Sequence, residues 1–195
     1  MNVPNTLTLS RLVLAIVMMV LLTMTFPFSK SLALVVFVIA AITDYFDGYL
    51  ARKVYGESAF GKLMDPLTDK VLVCAAFVSF VELRLVPAWL VVVIISREFL
   101  VTGLRLLAAN KGTVIPAGQW GKHKMVWQLV AVIALLLGLA VRYDLMRHAS
   151  ATLLANFDLA FGYVALAISI AVALITVGSG MMYFMQHREL ISRHM

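Results

Sequence analysis

Four aspartates fall within one short span of an otherwise apolar chain: Asp44 and Asp47, then Asp65 and Asp69. A carboxylate in the middle of a bilayer helix costs about 2.5–3.5 kcal/mol on insertion scales, so acids in such a setting mark function. If the segments around them are helical, Asp44, Asp47, Gly48 and Ala51 follow an i, i+3, i+4, i+7 pattern and share one face. Gly61, Asp65 and Asp69 follow i, i+4, i+8 and share another. Two helices then each offer a carboxylate pair. With no His or Cys ligand beside them, these groups suit hard cations bound through oxygen, Mg²⁺ or Mn²⁺, with coordination positions left for water and phosphate. Two such ions would bring four carboxylates close to neutrality, and a two-ion clamp suits in-line displacement at phosphorus. Gly48 costs a helix about 1 kcal/mol relative to Ala, a cost that makes sense where a ligand must approach the backbone closely.

The elements that must carry these residues are membrane helices. The chain has 195 residues, is 63% hydrophobic and has a mean hydropathy of +0.97, against about 45–50% apolar for a soluble domain. The reading is an all-α integral membrane protein of one domain, 1–195, with six spans near 9–26, 31–52, 61–86, 87–109, 125–141 and 159–184. The polar lead-in Met1–Ser10 is expected to lie along the interface, and the first apolar run is read as a retained helix rather than a cleaved leader. Pro66 fits the third span only if it falls in the first turn or so. Glu82–Pro87 reads as a tight turn, and Asn110–Lys124 and Arg142–Asp158 as polar loops.

Charge follows the same plan. The net charge of +6 resides at span ends, where anionic lipid headgroups explain it better than nucleic acid does. The termini and the second-to-third and fourth-to-fifth connections hold Arg11, Arg52, Lys53, Lys62, Lys70, Arg105, Lys111, Lys122, Lys124, Arg188 and Arg193. The opposite connections hold Lys30, Arg84, Arg142 and Arg147. This imbalance predicts both termini and the acidic cluster on the cytosolic side of the inner membrane. The lone Cys74 excludes an internal disulfide, and the four scattered histidines have no zinc-type spacing.

A second group could bind an anion. Arg97 and Arg105 are eight residues apart, so on one helix they share a face two turns apart. Lys122 and Lys124 open the next helix at the same end. Together they would form a basic pocket for a phosphate. Glu98, one residue from Arg97, is expected to point elsewhere, so Arg97 needs another anion: a phosphate or, in the competing reading, one of the four acids. Lys62 or Lys70 could likewise pair with a single acid.

Asp44-Tyr-Phe-Asp47-Gly48-Tyr-Leu-Ala51-Arg52, eight residues, then Gly61-Lys-Leu-Met-Asp65-Pro-Leu-Thr-Asp69 matches every fixed position of the pattern D-x-x-D-G-x-x-A-R-x8-G-x-x-x-D-x-x-x-D. In this the chain resembles the CDP-alcohol phosphotransferase family. The resemblance implies that Asp44, Asp47, Asp65 and Asp69 hold two metal ions, and that Asp69 takes the proton from an acceptor hydroxyl. It also implies that Gly48, Ala51, Arg52, Ser58, Gly61, Asn5 and Thr8 contact the CDP-lipid, and that the protein is a homodimer. Gly48 permits close approach and Arg52 can grip a diphosphate through its fork.

The run Ser96-Arg97-Glu98-Phe-Leu-Val-Thr-Gly-Leu-Arg105, with Gly121-Lys122-His-Lys124 and the opening Pro4-Asn5-x-x-Thr8-x-x-Arg11, resembles the bacterial phosphatidylglycerophosphate synthase branch of that family. That implies CDP-diacylglycerol as donor and sn-glycerol 3-phosphate as acceptor. Beyond about Gly138 the match is only one of hydrophobic character, and the C-terminal helix is not expected to bear on the substrate. Two other readings stay open: the same chemistry with inositol phosphate or serine as acceptor, and a divalent-cation transporter using the acids as an ion path.

Overall fold

A backbone in hydrocarbon must satisfy its own hydrogen bonds, and a chain of Leu, Val, Ile and Ala runs does so as helices. The computed structural model describes the backbone of residues 3–54, 59–110 and 119–186, and the side chains of residues 10–43, 70–108 and 124–186. All regular structure among them is helical: α1 (Val3–Thr23), α2 (Ser29–Val54), α3 (Ala59–Glu82), α4 (Ala88–Asn110), α5 (Gln119–Ala140) and α6 (Ala151–Gln186), with a π-helical turn over Val141–Leu145. Helix α1 packs on α2 and α3, α5 touches α2, α3 and α6, and α4 bridges α3 and α6.

Burial of apolar area drives little association in lipid, where tails are as apolar as leucine, so close fit must hold these helices together. Small residues line the contacts: Ala33, Ala40, Ala76 and Ala165 are wholly buried beside Met18, Phe37, Phe77 and Phe80. A methyl group on Gly138 would overlap the Phe161 ring. The outward faces are apolar as well, with Ile16, Val20, Val35, Ile39, Val92, Val130, Val164 and Leu174 exposed. Lys124–Leu145 and Ala151–Gln186 are each long and apolar enough to cross a bilayer, and Ser10–Thr23 and Ser29–Thr43 are shorter apolar stretches.

The described turns are closed by identifiable bonds. Helix α3 ends with Arg84 in the left-handed region at φ 56°. Arg84 N–H donates to the Val81 carbonyl and Leu85 N–H to that of Phe80, both at 2.9 Å, the paired bonds of a Schellman cap. Lys30 folds back to donate to the carbonyls of Leu22, in the last turn of α1, and of Met24, just beyond it. The Asp144 carboxylate accepts from Ser31 N–H at 2.7 Å and from its hydroxyl at 2.6 Å, satisfying an orphan donor at the start of α2. Arg142 grips Asp158 with two nitrogens.

The lead-in is helical from Val3 and continuous with α1, and Pro4 falls in a first turn, where its missing N–H costs nothing. Two expectations are corrected. Pro66 falls two turns inside α3, since that helix begins at Ala59. The loop expected over Arg142–Asp158 is mostly helix: the π turn extends α5, and α6 begins at Ala151 behind a Ser150 hydroxyl that accepts Leu153 N–H at 3.4 Å. Asp158 marks a polar helical position there, not a loop. With 36 residues, α6 is about 54 Å long, well beyond the roughly 30 Å hydrocarbon thickness.

Candidate functional site

The helical condition on which the acid spacing depends is met. Residues 44, 47, 48 and 51 all lie in α2, and residues 61, 65 and 69 all lie in α3, and these two helices are in contact. The side chains of Asn5, Thr8, Asp44, Asp47, Gly48, Ala51, Arg52, Gly61, Asp65, Asp69 and Lys122 lie outside the described residues, as does Ser58 altogether. Four carboxylate-bearing positions, paired one turn apart on two adjoining helices, offer an all-oxygen donor set, which is the chemistry of a hard divalent cation.

Next in sequence to the last of these positions begins a charged layer of described side chains. Its centre is Glu98 on α4, 6% exposed. Lys70, the residue after Asp69, places its ammonium 2.9 Å from Glu98 Oε2 and donates to the Glu98 carbonyl at 3.1 Å and to the Thr102 hydroxyl. Lys124, 5% exposed on α5, donates to Glu98 Oε1. Gln128, one turn further along α5, places its amide 3.5 Å from the same oxygen and 3.4 Å from Thr176 Oγ1 on α6. One carboxylate thus ties α3, α4 and α5 together.

Arg97 also reaches Glu98, its Nη1 lying 3.3 Å from Oε1. This corrects the expectation that Glu98 points away. Adjacent helical residues diverge at Cβ, but two long side chains can turn their heads together. The competing pairing of Arg97 with one of the four acids falls on side chains outside the described residues. Among the described ones, Arg97 Nη2 donates to Ser179 Oγ at 3.0 Å. Arg105, two turns on, stacks its guanidinium 5.3 Å from the centre of the Tyr183 ring. The two arginines therefore share a face of α4, and that face meets α6. Lys124, expected as a phosphate ligand, is engaged by Glu98.

Sequence reasoning named Glu98 and Lys70 without pairing them, and it gave no polar role to Gln128, Thr176 or Ser179. A usable signal was present: Glu98 and Thr102, and Lys124 and Gln128, are polar pairs at i, i+4 in apolar helices. Polar side chains so placed must find partners across a helix interface.

A helical bundle with membrane-compatible apolar spans, a paired-aspartate motif on adjoining helices and a cation-rich interior layer defines a class that handles phosphorylated lipid. The model of the CDP-alcohol phosphatidyltransferase family matches residues 1–175, and the chain belongs to that family. It is 45% identical over 148 residues to the CDP-diacylglycerol–glycerol-3-phosphate 3-phosphatidyltransferase of Bacillus subtilis, covering 70% of this chain and 77% of that protein. Proteins of the same name from Rickettsia bellii (36% over 137 residues; 70% and 76% of the two chains) and Pseudomonas fluorescens (37% over 142 residues; 70% and 72%) are similar in the same way.

Proposed function

We propose that this protein transfers the phosphatidyl group of CDP-diacylglycerol to sn-glycerol 3-phosphate, giving phosphatidylglycerophosphate and CMP. The similarity to the Bacillus subtilis enzyme of that name, 45% over 148 residues, carries this reading. Asp44, Asp47, Asp65 and Asp69 would hold two divalent ions, Mg²⁺ or Mn²⁺. When bound, these supply charge neutralisation at the diphosphate and at the developing charge on phosphorus. Asp69 takes the proton from the acceptor's primary hydroxyl. That oxygen forms a bond to the phosphorus carrying the diacylglycerol, and the bond from that phosphorus to the CMP oxygen breaks. Gly48, Ala51, Arg52, Ser58, Gly61, Asn5 and Thr8 receive the CDP-lipid.

Arg97 and Arg105, with Lys122 and Lys124, receive the acceptor phosphate. The charge balance of the Glu98 layer supports this: Lys70, Arg97 and Lys124 share one carboxylate, leaving an excess of positive charge among the described side chains. An excess of buried cations is costly unless an anion joins them. In this reading all six helices cross the inner membrane with both termini cytosolic, residues 1–195 form one domain, and the protein is a homodimer working on lipid that enters sideways.

The test is CMP release by purified protein with CDP-diacylglycerol and a panel of acceptors. Glycerol 3-phosphate should support turnover and serine should not; turnover with inositol phosphate but not glycerol 3-phosphate would overturn the acceptor assignment. Asp69→Asn should lower the rate by about 10²–10⁴ with the thermal unfolding midpoint preserved.

A further inference from the structure

The family match ends at residue 175, yet the contacts that hold the two arginines come from just beyond it. Ser179 is buried, and its hydroxyl donates to the Thr176 carbonyl at 2.9 Å, which leaves its lone pairs to receive Arg97 Nη2 at 3.0 Å. Gly180, also buried, faces the stem of the same arginine. A Cβ there would stand 3.0 Å from Arg97 Cγ and 3.2 Å from Nε, tighter than ordinary contact. One turn on from Ser179, the buried Tyr183 supplies the ring on which Arg105 lies. Ser179, Gly180 and Tyr183 follow an i, i+1, i+4 pattern on one stripe of α6 and meet side chains eight residues apart on α4. The Nε atoms of both arginines are buried and have no hydrogen-bond partner among the described residues.

We infer that the Ser179–Tyr183 turn of α6 positions Arg97 and Arg105 for the acceptor's phosphate, and so sets affinity for that substrate. The inference rests on the acceptor reading above. Fixing a long cationic side chain costs up to about 2 kcal/mol of rotamer entropy. Where the protein fixes it on folding, that cost is not met again on binding, and affinity rises accordingly. Gly180 lets the stem of Arg97 lie where a Cβ would force it to shift by a few tenths of an ångström. Ser179 fixes the plane of its fork, and Tyr183 holds Arg105 without consuming a hydrogen-bond donor. These are positioning residues: they act on the acceptor through the arginines.

The experiment measures initial CMP release against glycerol 3-phosphate and, separately, against CDP-diacylglycerol, with purified Ser179→Ala, Ser179→Thr and Gly180→Ala. Ser179→Ala removes a bond to a charged group and should raise KM for glycerol 3-phosphate about tenfold. Its KM for CDP-diacylglycerol should stay unchanged. Ser179→Thr keeps the hydroxyl and should restore the acceptor KM. Gly180→Ala should raise the acceptor KM alone, and it guards against a serine variant that fails to fold. Both KM values rising together, or an unchanged acceptor KM in folded Ser179→Ala and Gly180→Ala, would overturn the inference while leaving the acceptor reading intact. Wild-type protein that releases no CMP with glycerol 3-phosphate would defeat that reading and this inference with it.

Discussion

Two charged regions of this molecule solve opposite problems. At the turns after α1 and α5, three charges meet complements at hand: Lys30 donates to the Leu22 and Met24 carbonyls, Asp144 accepts from Ser31, and Arg142 is gripped by Asp158. Around Glu98, three cations converge on one carboxylate and Arg105 adds a fourth nearby. The first arrangement completes hydrogen bonds that the helix ends leave open, and it needs nothing from outside. Among the described side chains the second holds more cations than anions. In the proposed function, the balanced region is architecture and the unbalanced one receives the anionic acceptor.

That contrast can be broken by substitution. Glu98→Gln should have the largest effect on stability, because it leaves the buried Lys124 and the part-buried Lys70 and Arg97 with a neutral partner. A loss of about 3 kcal/mol or more is expected in reversible unfolding in detergent. Glycerol 3-phosphate should then raise the unfolding midpoint more in the variant than in wild type, the added anion replacing the lost one. Asp144→Ala should cost about 1–2 kcal/mol, the loss of a helix N-cap, with kcat and both KM values unchanged. Asp158→Asn removes a half-exposed ion pair and should cost less than about 1 kcal/mol, again without a kinetic effect. Kinetic loss from either Asp144→Ala or Asp158→Asn would erase the distinction between the two regions.

Much of this was legible in residue order. The i, i+3, i+4, i+7 and i, i+4, i+8 spacings give shared faces only on helices at residues 44–51 and 61–69, and α2 and α3 are helical there. The tight turn at Glu82–Pro87 was also legible, though not its left-handed Arg84, because a Schellman cap normally carries glycine at that position. The start of α6 was hidden because the polar residues of 142–158 resemble a loop when read by composition. On the structure they are a cap, a short turn and the exposed side of a helix. The Glu98 layer was hidden for another reason. Face-sharing rules treat side chains as short vectors from Cβ, whereas Arg97, Glu98, Lys70 and Lys124 reach across interfaces with flexible stems. The contribution of α6 could not be read at all, since Gly178-Ser179-Gly180 suits any close helix packing.

The most direct measurement follows the fate of the lipid itself. Purified protein is incubated with CDP-diacylglycerol, glycerol 3-phosphate and Mg²⁺, and the products are quantified by mass spectrometry with and without a chelator. Phosphatidylglycerophosphate and CMP in equal amounts, both lost on chelation, are the predicted result. Intact CDP-diacylglycerol in the presence of folded protein, metal and acceptor would contradict the assignment.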